Sequence, residues 1–386
     1  MNLNTAGWAS RALTPLLRII RSSPNATVPV VAISEPINSE TAGLVNSDIA
    51  LVAKGTGATL AQVPDGAAAG GNKRGIYATD WQKSRSINTY VASGNYSIVA
   101  GGQSNTASNT LATVSGGDTN IASGIRSTIA GGNGNTASVD YSFIGGGQTN
   151  LAQTNSHATV CGGLSNTASG QYSFVGSGQT NTASGIRSMV GSGDNNTASG
   201  SSSTICGGSN NLANSNFSFI AGGFRGTTRS IIGYHVFPAI NDALTQYGTA
   251  YGLAQSGLLL IGRQTTDATA TVLTSNSSAA GTTNQVILPN NSAYSFSGEV
   301  IAGVTGAGNT ARWTIDGAIK RGANAASTAM VGAATVTMTH FDAGAATWVV
   351  AVTADTANGG IAVTVTGAAA TTIRWVCRID TTEMTY

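Results

Sequence analysis

From residue 91 to 223, small and apolar positions recur in a fixed order. An alanine stands at Ala92, Ala107, Ala122, Ala137, Ala152, Ala168, Ala183, Ala198 and Ala213, a spacing of 15 residues with one extra between Ala152 and Ala168. Seven residues on, or eight in the longer unit, comes a β-branched aliphatic: Val99, Val114, Ile129, Ile144, Val160, Val175, Val190, Ile205 and Ile220. A Ser or Ala precedes each of these by two positions, from Ser97 to Ser218. Small and branched residues alternating with a period of two are strand patterning, and a 15-residue unit is too short for two helices with their turns. No unit has a core of its own, so each must stack on its neighbours. The pattern predicts a parallel β-roll solenoid of nine rungs, two short strands to a rung, with Ala107, Val114, Ala122, Ile129, Ala168, Val175, Ala183 and Val190 among its core columns.

Turns punctuate the same unit. Gly101-Gly102 recurs as Gly116-Gly117, Gly131-Gly132, Gly146-Gly147, Gly162-Gly163, Gly207-Gly208 and Gly222-Gly223, while two units carry Ser177 and Ser192 at the first place and keep Gly178 and Gly193. Asn105, Asn120, Asn135, Asn150, Asn166, Asn181, Asn196 and Asn211 then sit one above another, where stacked amides can hydrogen-bond along the ladder.

The position just before each Val or Ile faces the other way and reads Ile98, Thr113, Thr128, Phe143, Thr159, Phe174, Met189, Thr204 and Phe219. A stripe containing Phe143, Phe174, Met189 and Phe219 is a liability in water on so thin a coil. Burial against copies of the same stripe in a closed ring is the simplest remedy, and predicts self-association through these four residues.

Beyond residue 258 the alternation continues without a period. Strands are expected at 258–261, 270–274, 285–288, 294–302, 312–319, 335–339, 348–353, 361–366 and 372–379, with turn signals at Gly306-Ala-Gly-Asn309 and Asn358-Gly-Gly360. Short strands at this spacing argue for a β-sandwich or jelly roll, with Trp313, Trp348 and Trp375 in its core. Residues 224–257 replace the repeat with bulky side chains and read as a cap and neck. Ahead of the roll, residues 1–90 combine a short amphipathic helix at 12–21 with a strand pair around 49–63.

Composition removes several function classes. Charged residues make up 9% of the chain and the net charge is +2, and the repeat carries only Asp118, Arg126, Asp140, Arg187 and Asp194, so no basic stripe exists to meet nucleic acid. Cys161 and Cys206 share a repeat position three rungs apart, roughly 14 Å, too far for a disulfide within one chain; small buried thiols are expected at both and at Cys377. His157, His235 and His340 are scattered singly, which predicts no metal site, and no cofactor motif is present. Asp118 and Asp194 lie five rungs, roughly 24 Å, apart, and Asp242, Asp267, Glu299, Asp316, Asp342, Asp355 and Asp380 read as singletons near turns. Glycoside hydrolysis needs two neighbouring carboxylates, so the expectation is a protein without catalytic residues that is not an enzyme.

The stacked Asn-Thr-Ala-Ser-Gly-x-x-Ser-x-Ile-x-Gly-Gly units resemble the left-handed parallel β-roll of trimeric adhesin heads, and the phrase also resembles bacteriophage tail fibres and spikes. The resemblance covers roughly a third of the chain. The stretch 49–66, with 70–75 and 78–82 after it, is similar to the lead-in of phage fibre-like proteins, and 285–298 to the start of their terminal β-domain. The only apolar run of residues 1–24, at 13–20, is broken by Pro15 and Arg18, and residues 380–386 are polar, so neither a secretion signal nor a barrel anchor is expected.

Together these imply an all-β homotrimer. Residues 1–90 would attach to or cap the virion, 91–223 would form the roll, 224–257 the neck and 258–386 the sandwich head. The expected protein is a structural fibre assembled in the host cytoplasm and carried on the virion, without membrane insertion. It would bind other virion proteins through its N-terminal part and host surface polysaccharide or lipopolysaccharide without catalysis. A capsid-decorating or cement protein and a polysaccharide-degrading tailspike are the alternatives. Receptor-binding residues are not identifiable at this level.

Overall fold

The structure, a computed structural model, describes residues 18–20, 30–32, 57–237 and 253–386. In the unit Met1–Val52, the strand Arg18–Ile20 pairs antiparallel with Val30–Ala32. This corrects the helix expected at 12–21 as far as it is described. In register Ile19 pairs with Val31 and Ile20 with Val30, and β-branched residue types favour a pleated ladder over a helix. The rest of that helix, residues 49–56 of the expected strand pair, and Asp242 lie outside the described residues.

The second unit, Ala53–Tyr386, contains a parallel β-solenoid of about 11 turns, more than the nine copies of the phrase. One ladder begins at Thr59–Leu60 and Thr79–Asp80, which pair with each other and not in an N-terminal hairpin. It then runs through Ile98–Val99 to Phe219–Ile220. A second ladder of eight strands runs from Thr106–Ala107 to Leu212–Ala213. A third column of single bridges climbs from Ser84 through Gln103, Asp118 and Asp194 to Phe224, so each turn is hydrogen-bonded in three places.

The interior explains the repeat. Ala107, Val114, Ala122, Ile129, Ala168, Val175, Ala183 and Val190 are fully buried, and so are the asparagines. Asn120 donates from Nδ2 to the Gly116 carbonyl of its own turn (3.0 Å) and the Gly132 carbonyl of the next (2.9 Å), while its Oδ1 accepts from the Asn135 backbone N–H (3.0 Å). Burying an amide without partners costs about 2–7 kcal/mol, so this threefold engagement makes a polar column compatible with the core. Gln82 closes the first end by accepting from the Asn105 N–H (2.9 Å), and Gly226 closes the other by donating to Asn211 Oδ1 (2.8 Å). Beneath the first turns, buried Asp80 pairs with Arg74 (2.7 Å) and Arg85 (3.7 Å) as a polar plug.

The glycine pair has unequal members. Gly117 has φ +89 and a Cβ there would lie 2.1 Å from the Gly132 carbonyl oxygen, whereas a Cβ on Gly116 meets open space. That difference accounts for Ser177 and Ser192 at the first place only.

The shaft sheet continues into the C-terminal domain. His235–Phe237 pairs parallel with Phe219–Ile220 and antiparallel with Ala254–Thr265. The sheet then proceeds through Ile373–Thr385, Ser292–Val304, Thr310–Arg321 and Thr335–Phe341. Against its inner face packs a second sheet built on Gly360–Thr366, flanked by Val349–Asp355 on one edge and by Thr271–Val272 and Val286–Ile287 on the other. Each expected strand has its counterpart, most of them longer than the alternation suggested. Trp313, Trp348 and Trp375 are buried between the sheets, with ring centroids 5.6 and 5.7 Å from Trp375. At the junction, buried Glu383 accepts from Arg229 Nη2 (2.9 Å), Gln255 Nε2 (2.9 Å), Thr381 Oγ1 (3.0 Å) and Tyr234 OH, locking the last turn to the final strand.

Candidate functional site

Register decides what the outer face of the head sheet carries. Its side chains alternate with the core, so even-numbered residues of Ile373–Thr385 and Thr310–Arg321 and odd-numbered residues of Ser292–Val304 point outward. Pairing then sets Asp380, Ser297 and Asp316 in one row and Arg378, Glu299 and Thr314 in the next. Val376, Ile301, Arg312 and His340 form the third. Glu299 accepts from Arg312 Nη2 at 2.5 Å, and Asp380 from Arg378 Nε at 2.9 Å. Such exposed pairs add at most about 1 kcal/mol to stability, so they are not what holds the sheet together. Beside them Leu260, Ile301 and Val376 are exposed, and a shallow depression of about 650 Å³ is lined by Ile301, Arg312, His340, Phe341 and Asp342.

Three carboxylates that look isolated in sequence, Glu299, Asp316 and Asp380, therefore share one sheet face. The others do not join them. Asp267 and Asp355 are turn-formers: hydrogen bonds from Thr269 hold the Asp267 carboxyl below its usual range, and at Asp355 burial opposes ionisation but bonds from Asn358 and Ala357 outweigh it. Asp342 accepts from the Thr310 N–H at 2.8 Å. Asp118 and Asp194 stand on the third shaft column, and Asp140 accepts from the Ile125 N–H at 2.8 Å. Among the described residues no group of three or more His, Cys, Asp or Glu is placed to hold a metal, and no helix is long and apolar enough to cross a membrane.

On the shaft, the expected stripe faces outward. Phe143 and Met189 are exposed, and Phe174 and Phe219 are half-buried. Cys161 and Cys206, expected to be buried, are exposed, because the residue following each core Val or Ile turns outward; Cys377 is buried as expected.

A second outward column escaped sequence reading. Four residues after each repeat alanine, or five in the longer turn, stand Tyr96, Leu111, Arg126, Tyr141, His157, Tyr172, Arg187, Ser202 and Phe217. The rings of Tyr141 and His157 stack at 4.9 Å, those of His157 and Tyr172 lie 4.8 Å apart, and Arg126 and Arg187 sit over the outer tyrosines at 5.3 and 6.0 Å. The varied residue types hid this column, although the constant offset from the alanine was there to find.

No protein-family model matches the chain, and no curated protein does. Among solved structures, a tailspike protein, gp49, from Acinetobacter baumannii bacteriophage Fri1, described as a capsular polysaccharide depolymerase, is 11% identical. The alignment covers 81% of this chain and 58% of that one, with a TM-score of 0.21, so the chain spans less than two thirds of that tailspike's length. The Acinetobacter phage vB_ApiP_P1 tailspike protein is 10% identical over 85% of this chain and 80% of that one, with a TM-score of 0.17. The structural neighbours are thus phage tailspikes, one of them described as an enzyme. The expectation of a non-enzyme is corrected at its own premise: the carboxylates that look isolated in sequence are not all so, because the head sheet brings three of them onto one face.

Proposed function

We propose that the protein is a virion spike or fibre that engages host surface polysaccharide as a homotrimer. In this reading the Phe143, Phe174, Met189 and Phe219 stripe forms the contact between chains, and residues 1–90 attach to the particle. The observation that carries it is the sheet running from Thr59–Leu60 through His235–Phe237 into the head, reinforced by the Glu383 network. A connection hydrogen-bonded strand to strand among the described residues suits a stalk that presents a binding surface at a fixed distance from a particle. On the head, the exposed aliphatic side chains of Leu260, Ile301 and Val376 and the ring of Phe341 lie beside paired guanidinium and carboxylate groups, the mixture that sugar rings and their hydroxyls require. Three copies on one stalk multiply weak contacts by avidity.

The test uses the full chain. Sedimentation at micromolar concentration should give three times the 38.5 kDa chain mass, and a monomer sinks the trimer. Against a panel of purified bacterial capsular polysaccharides and lipopolysaccharides, at least one should bind, with polymer length and reducing ends followed in the same samples. Any release of reducing ends should fall with Glu299→Gln, Asp316→Asn or Asp380→Asn. Binding to none of the panel, together with particles that lose stability when the protein is omitted, replaces this reading with capsid decoration.

A further inference from the structure

Residues 91–223 contain two cationic side chains of Lys or Arg, Arg126 and Arg187, and both stand in the single outward column described above. They bracket Tyr141, His157 and Tyr172 over four rises, about 19 Å along the shaft. Arg126 Nη1 donates to Tyr141 OH at 2.7 Å. Because the ring faces stack on one another, the edges and polar tips are what meet solvent. Tyr141 and Tyr172 remain 47% and 49% exposed, so the stack is not a buried support of the shaft. Each position in the column has left-handed backbone, φ between 54 and 63 from Tyr96 to Phe217. That conformation favours Gly or Asn and costs a bulky residue on the order of 1–2 kcal/mol. The chain is rich in both Gly and Asn, yet at the five successive positions Arg126, Tyr141, His157, Tyr172 and Arg187 it places large polar and aromatic side chains.

A second observation falls on the same spot. The one 16-residue turn carries its extra residue just before His157, at the middle of the column. Five of the eight regular turns have glycine at this point, such as Gly124, whose Cβ would lie 2.0 Å from the Val139 carbonyl oxygen, and the other three carry Asn109, Val139 and Ser215. The long turn instead has Thr154, with φ 73, and Asn155, both exposed. Insertions in solenoids gather on one face, often the one that binds. The acid beside the column, Asp140, accepts from the Ile125 N–H, and its single negative charge stands against the two guanidiniums of Arg126 and Arg187, so the balance along the column is positive.

We propose that Arg126, Tyr141, His157, Tyr172 and Arg187 form a binding site for an acidic polysaccharide laid along the shaft. The two guanidiniums pair with carboxylates of the polymer, and the tyrosine hydroxyls and imidazole hydrogen-bond to sugar hydroxyls between them. The site stands two residues from Phe143, Phe174 and Met189, beside the stripe assigned to the subunit contact. The proposal rests on the reading of the protein as a glycan-binding spike, and names the class of glycan.

The experiment is calorimetric titration of the full chain with polygalacturonate, polysialic acid and hyaluronate, with carboxyl-reduced polygalacturonate as the uncharged match. At least one carboxylated polymer should bind, the reduced polymer should not, and added salt should weaken the interaction. Arg126→Gln/Arg187→Gln should lower affinity by about tenfold or more. Tyr172→Ala should weaken it as well, with unfolding temperature unchanged in the arginine variant and Ser202→Ala neutral in both respects. Equal binding of the reduced polymer, or wild-type affinity in the double arginine variant, overturns the site. A wild-type protein that binds a neutral capsular polysaccharide but no carboxylated polymer overturns it while leaving the glycan-binding reading intact. Binding to no polysaccharide at all overturns both.

Discussion

Substitution of Asn181 measures what the polar column contributes. Asn181 Nδ2 donates to the Ser177 carbonyl at 3.0 Å and the Gly193 carbonyl at 2.8 Å, and its Oδ1 accepts from the Asn196 N–H at 3.0 Å. With Asn181→Ala, the Gly193 carbonyl keeps its bond from the Gln179 N–H at 2.9 Å, but the Asn196 N–H loses its acceptor and the Ser177 carbonyl its side-chain donor. The Asn196 N–H is the buried group left unsatisfied, while Ser177 is exposed and its carbonyl can turn to water, so the loss is about 1–3 kcal/mol per chain. Asn181→Asp keeps an acceptor for Asn196 but turns a carboxylate toward two carbonyl oxygens in a buried site. Its folded-state pKa must then lie above the unfolded value, so the native state binds more protons and the variant loses stability as pH rises. Denaturant midpoints at pH 4 and 7 test the pair, supplemented by hydrogen exchange at the Asn196 amide. Exchange should speed up in the neighbouring turns and not in the head, because solenoid stability is carried by nearest-neighbour interfaces. Asn181→Ala within about 0.5 kcal/mol of the wild type, with Asn196 still protected, refutes the reasoning.

Gly131→Ala should be tolerated because its Cβ meets open space, while Gly132→Ala, at φ +93 and 2.1 Å from the Gly147 carbonyl oxygen, should lower the unfolding midpoint; equal effects in a thermal melt contradict the account of the glycine pair. Val175→Asp places an unpaired charge in the buried column and should cost several kcal/mol, on the order of 3–5, so normal soluble expression and assembly would show that the column is not core. Of the three thiols, Cys161 and Cys206 should react with a thiol reagent at pH 8 in the native protein, and Cys377, whose thiol burial pushes up to about 12, only after unfolding; rapid labelling of all three would show an open head core.

The local pattern was strong wherever a residue's fate depended on near neighbours. Ala and Val or Ile at fixed offsets announced the solenoid, because in-register stacking requires every turn to present the same small or branched group at the same place. The head strands were readable for a related reason: period-two alternation survives in Ser292–Val304 and Ile373–Thr385 even without a repeat. Near the N-terminus the same reasoning failed at Arg18–Ile20, where a few apolar residues fit either period and a partner at Val30–Ala32 settled the strand.

By itself, then, the sequence determined the stacking period, the inward columns and the strands of the head, since these depend on spacing along the chain. Tertiary structure alone decided that Glu299, Asp316 and Asp380 share a face, because strand order brings together residues that alternation cannot relate. It also revealed Tyr141, His157 and Tyr172 as one stacked column, since Tyr, Leu, Arg, His, Ser and Phe at one register position make no compositional pattern until the rings are seen in contact. Periodicity fixes which way a side chain points; only the pairing of strands fixes which side chains it meets.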